Sequence, residues 1–105
     1  TEITDNIITG VQGSDMTPDV TVDEAGIMVK HDMGGSAVIT GNTVRGNDAH
    51  GIYTYGVANA NVSENAVNIN SDEYIERGAI TLLGTGGQAS AVRKNELDAA
   101  DANGI

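Results

Sequence analysis

The chain has 105 residues and carries 15 acids against 5 bases, a formal net charge of -10. The length suits one domain, residues 1–105, and the charge argues against nucleic acid or an anionic membrane surface as a partner, since both are bound through Lys and Arg. Cys is absent, which excludes disulfides and thiolate metal sites, and no apolar run approaches the ~20 residues of a membrane-inserted helix.

In chain order, the first pattern is Ile3-Thr4-Asp5-Asn6-Ile7-Ile8, of the form apolar-x-x-Asn-x-apolar. It returns as Ile39-Thr40-Gly41-Asn42-Thr43-Val44, Val62-Ser63-Glu64-Asn65-Ala66-Val67 and Val92-Arg93-Lys94-Asn95-Glu96-Leu97. A second phrase follows each copy: Gly26-Ile27-Met28-Val29, Gly51-Ile52-Tyr53-Thr54, Gly78-Ala79-Ile80-Thr81-Leu82 and Gly104-Ile105. A paired phrase laid down repeatedly is the mark of a stack of similar units. The first phrase starts at residues 3, 39, 62 and 92, and the uneven spacing arises between the Asn and the Gly-Ile phrase. Two inserted loops account for it, Gln12–Ala25 and Ser71–Arg77.

Fourteen Gly, many β-branched residues and no sustained 3.6 period argue against helix. Period-two alternation at Ile27-Met28-Val29, Ile52-Tyr53-Thr54 and Ile80-Thr81-Leu82 predicts strands. An antiparallel sandwich is the competing fold, with Asn103-Gly104 as a hairpin turn. A hairpin protein, however, has no reason to repeat an Asn at one offset in every unit. In a stack with rungs ~4.8 Å apart, each Asn amide can donate to the Asn carbonyl of the next rung. Asn6, Asn42, Asn65 and Asn95 are the expected ladder; four unrelated turn asparagines are the alternative.

With Ile27, Ile52 and Ile80 inward, alternation places Met28, Tyr53 and Thr81 in one outward column. Lys30, Tyr55 and Leu83 form the next. Tyrosines beside a cation suit a sugar ring, so Lys30, Tyr53 and Tyr55 are the expected glycan-binding residues. Tyrosines that merely pack across rungs are the plainer alternative. His31 and Asp32 follow Lys30 and are the candidate acid–base pair, provided that the chain turns near Gly34-Gly35 so that the two can meet. His50 precedes Gly51 as Asn103 precedes Gly104, which marks it as a turn residue rather than a catalyst.

Acids cluster in the inserted loops: Asp15, Asp19, Asp23 and Glu24 in one, and Asp72, Glu73 and Glu76 in the other. Asp72, Glu73 and Glu76 are the candidate ligands for calcium, a cation that takes six to eight oxygens. A solvated acidic loop is the alternative. Asn61-Val62-Ser63 forms a glycosylation sequon at the mouth of a repeat phrase.

The four Asn phrases and the Gly-Ile strand starts resemble the repeats of right-handed parallel β-helices of the pectin-lyase-like superfamily. The resemblance covers nearly the whole chain apart from the two insertions. It implies an all-β solenoid of about four coils, and an extracellular or cell-surface protein that binds or processes polysaccharide as a lyase or epimerase does. The Asp-Pro-His run of alginate epimerases is absent, so no catalytic motif carries over. A stalk, fibre or adhesin segment is the other expectation. The chain starts inside a repeat phrase without Met, and neither terminus carries a polar cap. Further coils, a partner chain or a second copy stacked end to end are therefore the expected neighbours of its two ends.

Overall fold

The computed structural model describes residues 1–12, 25–47, 49–70, 78–83 and 90–100. Nine strands fill most of them: β1 (Glu2–Thr4), β2 (Ile7–Gln12), β3 (Ala25–Thr40), β4 (Thr43–Asn47), β5 (His50–Ser63), β6 (Ala66–Asn70), β7 (Ile80–Leu83), β8 (Ala91–Arg93) and β9 (Glu96–Ala100). Among the described residues there is no helix, as expected from a composition rich in β-branched residues and Gly. The protein is all-β, and every strand pairing is parallel. One sheet runs β1-β3-β5-β7, with β8 also on β5; the other runs β2-β4-β6-β9.

The register is the one set by the repeated phrases. Ile3 pairs with Ile39, Ile39 with Val62, and Val62 with Val92. In the second sheet Ile8, Val44, Val67 and Leu97 are in register. The strand-start isoleucines Ile27, Ile52 and Ile80 align likewise. These columns, joined by Val29, Val57 and Ile69, form one apolar core. An antiparallel sandwich is thereby excluded.

A sharp turn separates the two sheets in each unit, and the same geometry recurs there. The residue before each repeated Asn has positive φ: Asp5 at 55°, Gly41 at 70°, Glu64 at 58° and Lys94 at 55°. Only Gly41 adopts this without the ~1–2 kcal/mol steric cost of the left-handed region. Each of the four is followed directly by an asparagine that is hydrogen-bonded into the stack. Asn6 Nδ2 donates to Asn42 Oδ1 at 3.1 Å, Asn42 Nδ2 to Asn65 Oδ1 at 3.0 Å, and Asn65 Nδ2 to Asn95 Oδ1 at 3.0 Å. Each of these acceptor oxygens also takes the backbone N–H of the preceding Asn, at 2.9–3.0 Å. The amides also reach back across the stack, Asn42 to Ile3 O, Asn65 to Ile39 O and Asn95 to Val62 O. Asn42 and Asn65 are 1% exposed, so burial of their polar groups is matched by bonding.

The Gly of the second phrase has a packing reason at Gly51. A Cβ built there would collide with Val67 Cγ1 and lie 2.5 Å from the Ala79 carbonyl oxygen. The strand start and the opposite sheet approach so closely that no side chain fits between them.

Candidate ligand-binding surfaces

The expected outward columns exist as registers. Met28 pairs with Tyr53 and Tyr53 with Thr81; Lys30 pairs with Tyr55 and Tyr55 with Leu83. Their accessibility differs from the expectation. Tyr55 is 48% exposed and Lys30 is exposed, but Tyr53 is only 1% exposed. Its ring lies 5.1 Å from that of His50, tilted by 51°. Facing away from the core therefore does not place Tyr53 in water, and it offers no platform to a sugar. Alternation fixes the side of a sheet, not what covers that side. Tyr55, beside Lys30, is the aromatic that remains accessible.

His50 also departs from expectation. It opens strand β5 rather than a turn and is fully buried. Its Nδ1 accepts the Gly78 N–H at 3.1 Å and lies 2.9 Å from Thr81 Oγ1. An Nδ1 that accepts a backbone N–H fixes the neutral ring with its proton on Nε2. His50 is thus a tie between β5 and the start of β7.

His31 stands in a bulge. Between the pairs Lys30–Tyr55 and Gly34–Val57 the register shifts, so His31, Asp32 and Met33 face the single residue Gly56. Gly35 has φ 72° just past this bulge and Gly56, opposite it on β5, has φ 69°, while β3 itself continues as strand through Gly34 and Gly35 without a turn. The His31 ring lies over Gly35, where a Cβ would meet Nδ1 and Cε1 at 2.9 Å. Nε2 is buried without a hydrogen-bond partner among the described residues. That nitrogen is shut away from any substrate approaching through solvent. The Asp32 side chain lies outside the described residues, as do Asp72, Glu73 and Glu76 with the rest of both inserted loops. Among the described residues no group of three His, Asp or Glu could hold a metal ion.

Two shallow concavities lie on the strand faces, and sequence reasoning did not single out either. One, of about 310 Å³, crosses β3, β5 and β8. Val38 and Ala91 give it an apolar floor, while Asn59, Asn61, Ser90 and Arg93 line its polar sides. Val38 is 37% exposed. Asn61 Oδ1 is buried there with no hydrogen-bond partner among the described residues, and Ser90 Oγ is held by the Ala60 N–H at 3.1 Å. The signal in the sequence was Asn59-Ala60-Asn61: two amides at spacing two on a strand share one face. The other concavity, of about 380 Å³, crosses β4, β6 and β9 and is lined by Thr43, Ala66, Arg45, Asn68, Glu96 and Asp98. Arg45, Asn68 and Asp98 form one column in register, and Asn68 Nδ2 donates to Asp98 Oδ2 at 3.4 Å.

Chemically, the β3–β5–β8 trough offers amide and hydroxyl groups, one guanidinium and a small apolar floor. That set binds polyhydroxylated molecules by hydrogen bonds around an apolar contact. The described residues bring no accessible acid–base pair together at this surface. Among the described residues no helix is long and apolar enough to cross a membrane. No protein-family model, curated protein or solved structure matches the chain.

Proposed function

We propose that the chain is a right-handed parallel β-helix module of an extracellular protein, and that its flank binds a polysaccharide strand. The observation that carries this is the trough over β3, β5 and β8, where the exposed Asn59 and Arg93 stand with the apolar Val38 and Ala91. The exposed Asn59 amide can exchange hydrogen bonds with sugar hydroxyls, and Arg93 suits the carboxylate of a uronic acid. The parallel register and the in-line asparagines support the coiled fold, and the resemblance to pectin-lyase-like repeats supports the choice of ligand. Lys30 and Tyr55, exposed on the same strands β3 and β5, would add to the contact. The role is binding without catalysis. No step is assigned to His31, Asp32 or calcium.

Retention on immobilised glycans tests the proposal, with a polyuronate, a neutral β-glucan and a sulfated glycan as the panel. Arg93→Ala and Asn59→Ala should each weaken retention on the polyuronate about tenfold with the fold intact, and Tyr55→Ala should weaken it less. Wild-type protein that passes every glycan unretarded would overturn the proposal. It would leave the purely structural reading, a stalk or fibre segment, which the continuous asparagine ladder favours.

A further inference from the structure

The outward face of the second sheet carries a charge pattern that is complementary to itself. Two columns of side chains stand on it, each in register across β4, β6 and β9: Thr43, Ala66 and Glu96 in one, and Arg45, Asn68 and Asp98 in the other. Arg45, Asn68, Glu96 and Asp98 are exposed, and Thr43 and Ala66 are half-buried. Asn68 bonds Asp98 within the chain, but Arg45 has no hydrogen-bond or ion-pair partner among the described residues. Two rungs, ~9.6 Å, separate Arg45 from Asp98 of its own chain.

Two twofold arrangements lay this face against a copy of itself. An axis along the stack keeps every rung opposite its equivalent and exchanges the columns. That sets Asp98 against Glu96 of the copy, like charge against like. An axis along the strands keeps the columns and reverses the rungs about β6. Arg45 then meets Asp98 of the copy, Asp98 meets its Arg45, and Asn68 meets its Asn68. Thr43 meets Glu96 of the copy, where the hydroxyl can donate to the carboxylate. Ala66 faces Ala66 on the axis, where a small side chain lets the sheets approach. The second arrangement opposes no like charges, and it supplies the carboxylate that Arg45 lacks.

We infer that this face binds a second copy of the chain, as an isologous dimer with its twofold axis along β6. The strands of the two copies then lie aligned, as in packed sheets. Each facing pair occurs twice, and the assembly closes at two chains. The net charge of -10 repels copies at a distance. Physiological salt screens that repulsion beyond ~8 Å, so the pairs in contact decide the outcome. Three strands of five residues offer a footprint of about 240 Å². A standard interface buries ~800 Å² on each partner, so this association is weak. The contact lies on the flank of the stack, so it holds whatever adjoins β2 or β9. It uses the second sheet and not the β3–β5–β8 trough, and is therefore independent of any glycan.

Sedimentation velocity of the full chain in about 150 mM salt, from about 10 µM to about 1 mM, tests it. The expected result is a mass that rises with concentration towards twice the 10.8 kDa of one chain and stops there. Arg45→Asp and Asp98→Arg each set like charges against one another twice per dimer, and each should weaken association about tenfold or more. Both side chains are exposed, so the fold should tolerate either change, which circular dichroism checks. An equimolar mixture of the two variants should recover the wild-type association, since every reversed charge then meets its opposite on the other chain. Damage to the fold would not be repaired by mixing. A monomer at every concentration overturns the inference. So does growth past two chains, association that either reversal leaves unchanged, or a mixture that stays dissociated.

Discussion

Replacing the same residue at two equivalent positions separates a buried ladder from four ordinary turns. Asn65→Ala removes four hydrogen bonds: two that its Oδ1 accepts from Asn42, at 2.9 and 3.0 Å, and two that its Nδ2 donates, to Ile39 O and Asn95 Oδ1. At about 1 kcal/mol net for each, the loss is about 4 kcal/mol. The Asn42 N–H is the costliest, because it is left buried with no other acceptor among the described residues. A small cavity adds to the total. Asn6→Ala removes only two side-chain bonds, to Thr4 O and Asn42 Oδ1, at an exposed position where water replaces them. Its cost is about 1 kcal/mol or less. Urea unfolding followed by circular dichroism should therefore show a difference of about 3 kcal/mol between the variants. That is a large share of the ~5–15 kcal/mol that stabilises a domain of this size. Asn65→Asp, which keeps the shape but loses both donors, should resemble Asn65→Ala. Equal costs at positions 65 and 6, or a harmless Asn65→Asp, would refute the claim that bonding along the ladder holds the stack.

Four further substitutions follow from burial and contact. Gly51→Ala should cost about 2 kcal/mol or more by denaturant unfolding, because its methyl group would meet Val67 and the Ala79 carbonyl; an unchanged midpoint would contradict the close approach of the two sheets. Thr54→Val should stabilise by about 1 kcal/mol and raise the melting temperature by about 4–8 °C, since Thr54 Oγ1 is fully buried without a partner among the described residues, in register with Val29 and Leu82; a lower melting temperature would mean that the hydroxyl is bonded. Tyr53→Ala should destabilise by about 3–5 kcal/mol and Tyr55→Ala by less than about 0.5 kcal/mol, a contrast that thermal unfolding measures directly and that equal losses would refute.

The repeated phrases made the parallel pairing and its register legible because stacking imposes one rule on every unit. A residue that must meet its own equivalent one rung away has to recur at a fixed offset from the apolar positions. Asn6, Asn42, Asn65 and Asn95 do so, and so do the inward Ile and Val columns. The candidate surface was less legible. Tyr53 and Tyr55 look alike in the sequence, two apart on one strand, yet one is enclosed beside His50 and the other stands in solvent. His50 reads as a turn residue next to Gly51, but its ring nitrogen accepts the N–H of Gly78, 28 positions away. The trough containing Asn61 was missed because its walls come from three strands that are distant in the chain, β3, β5 and β8.

The sequence by itself determined the all-β class, the inward columns and the position of the ladder, since periodicity and offset are local properties of a chain. The tertiary structure decided which outward residues meet water and where β3 bulges at His31. Those properties depend on what lies across a rung or against a face, and neighbours of that kind are set by packing between distant segments.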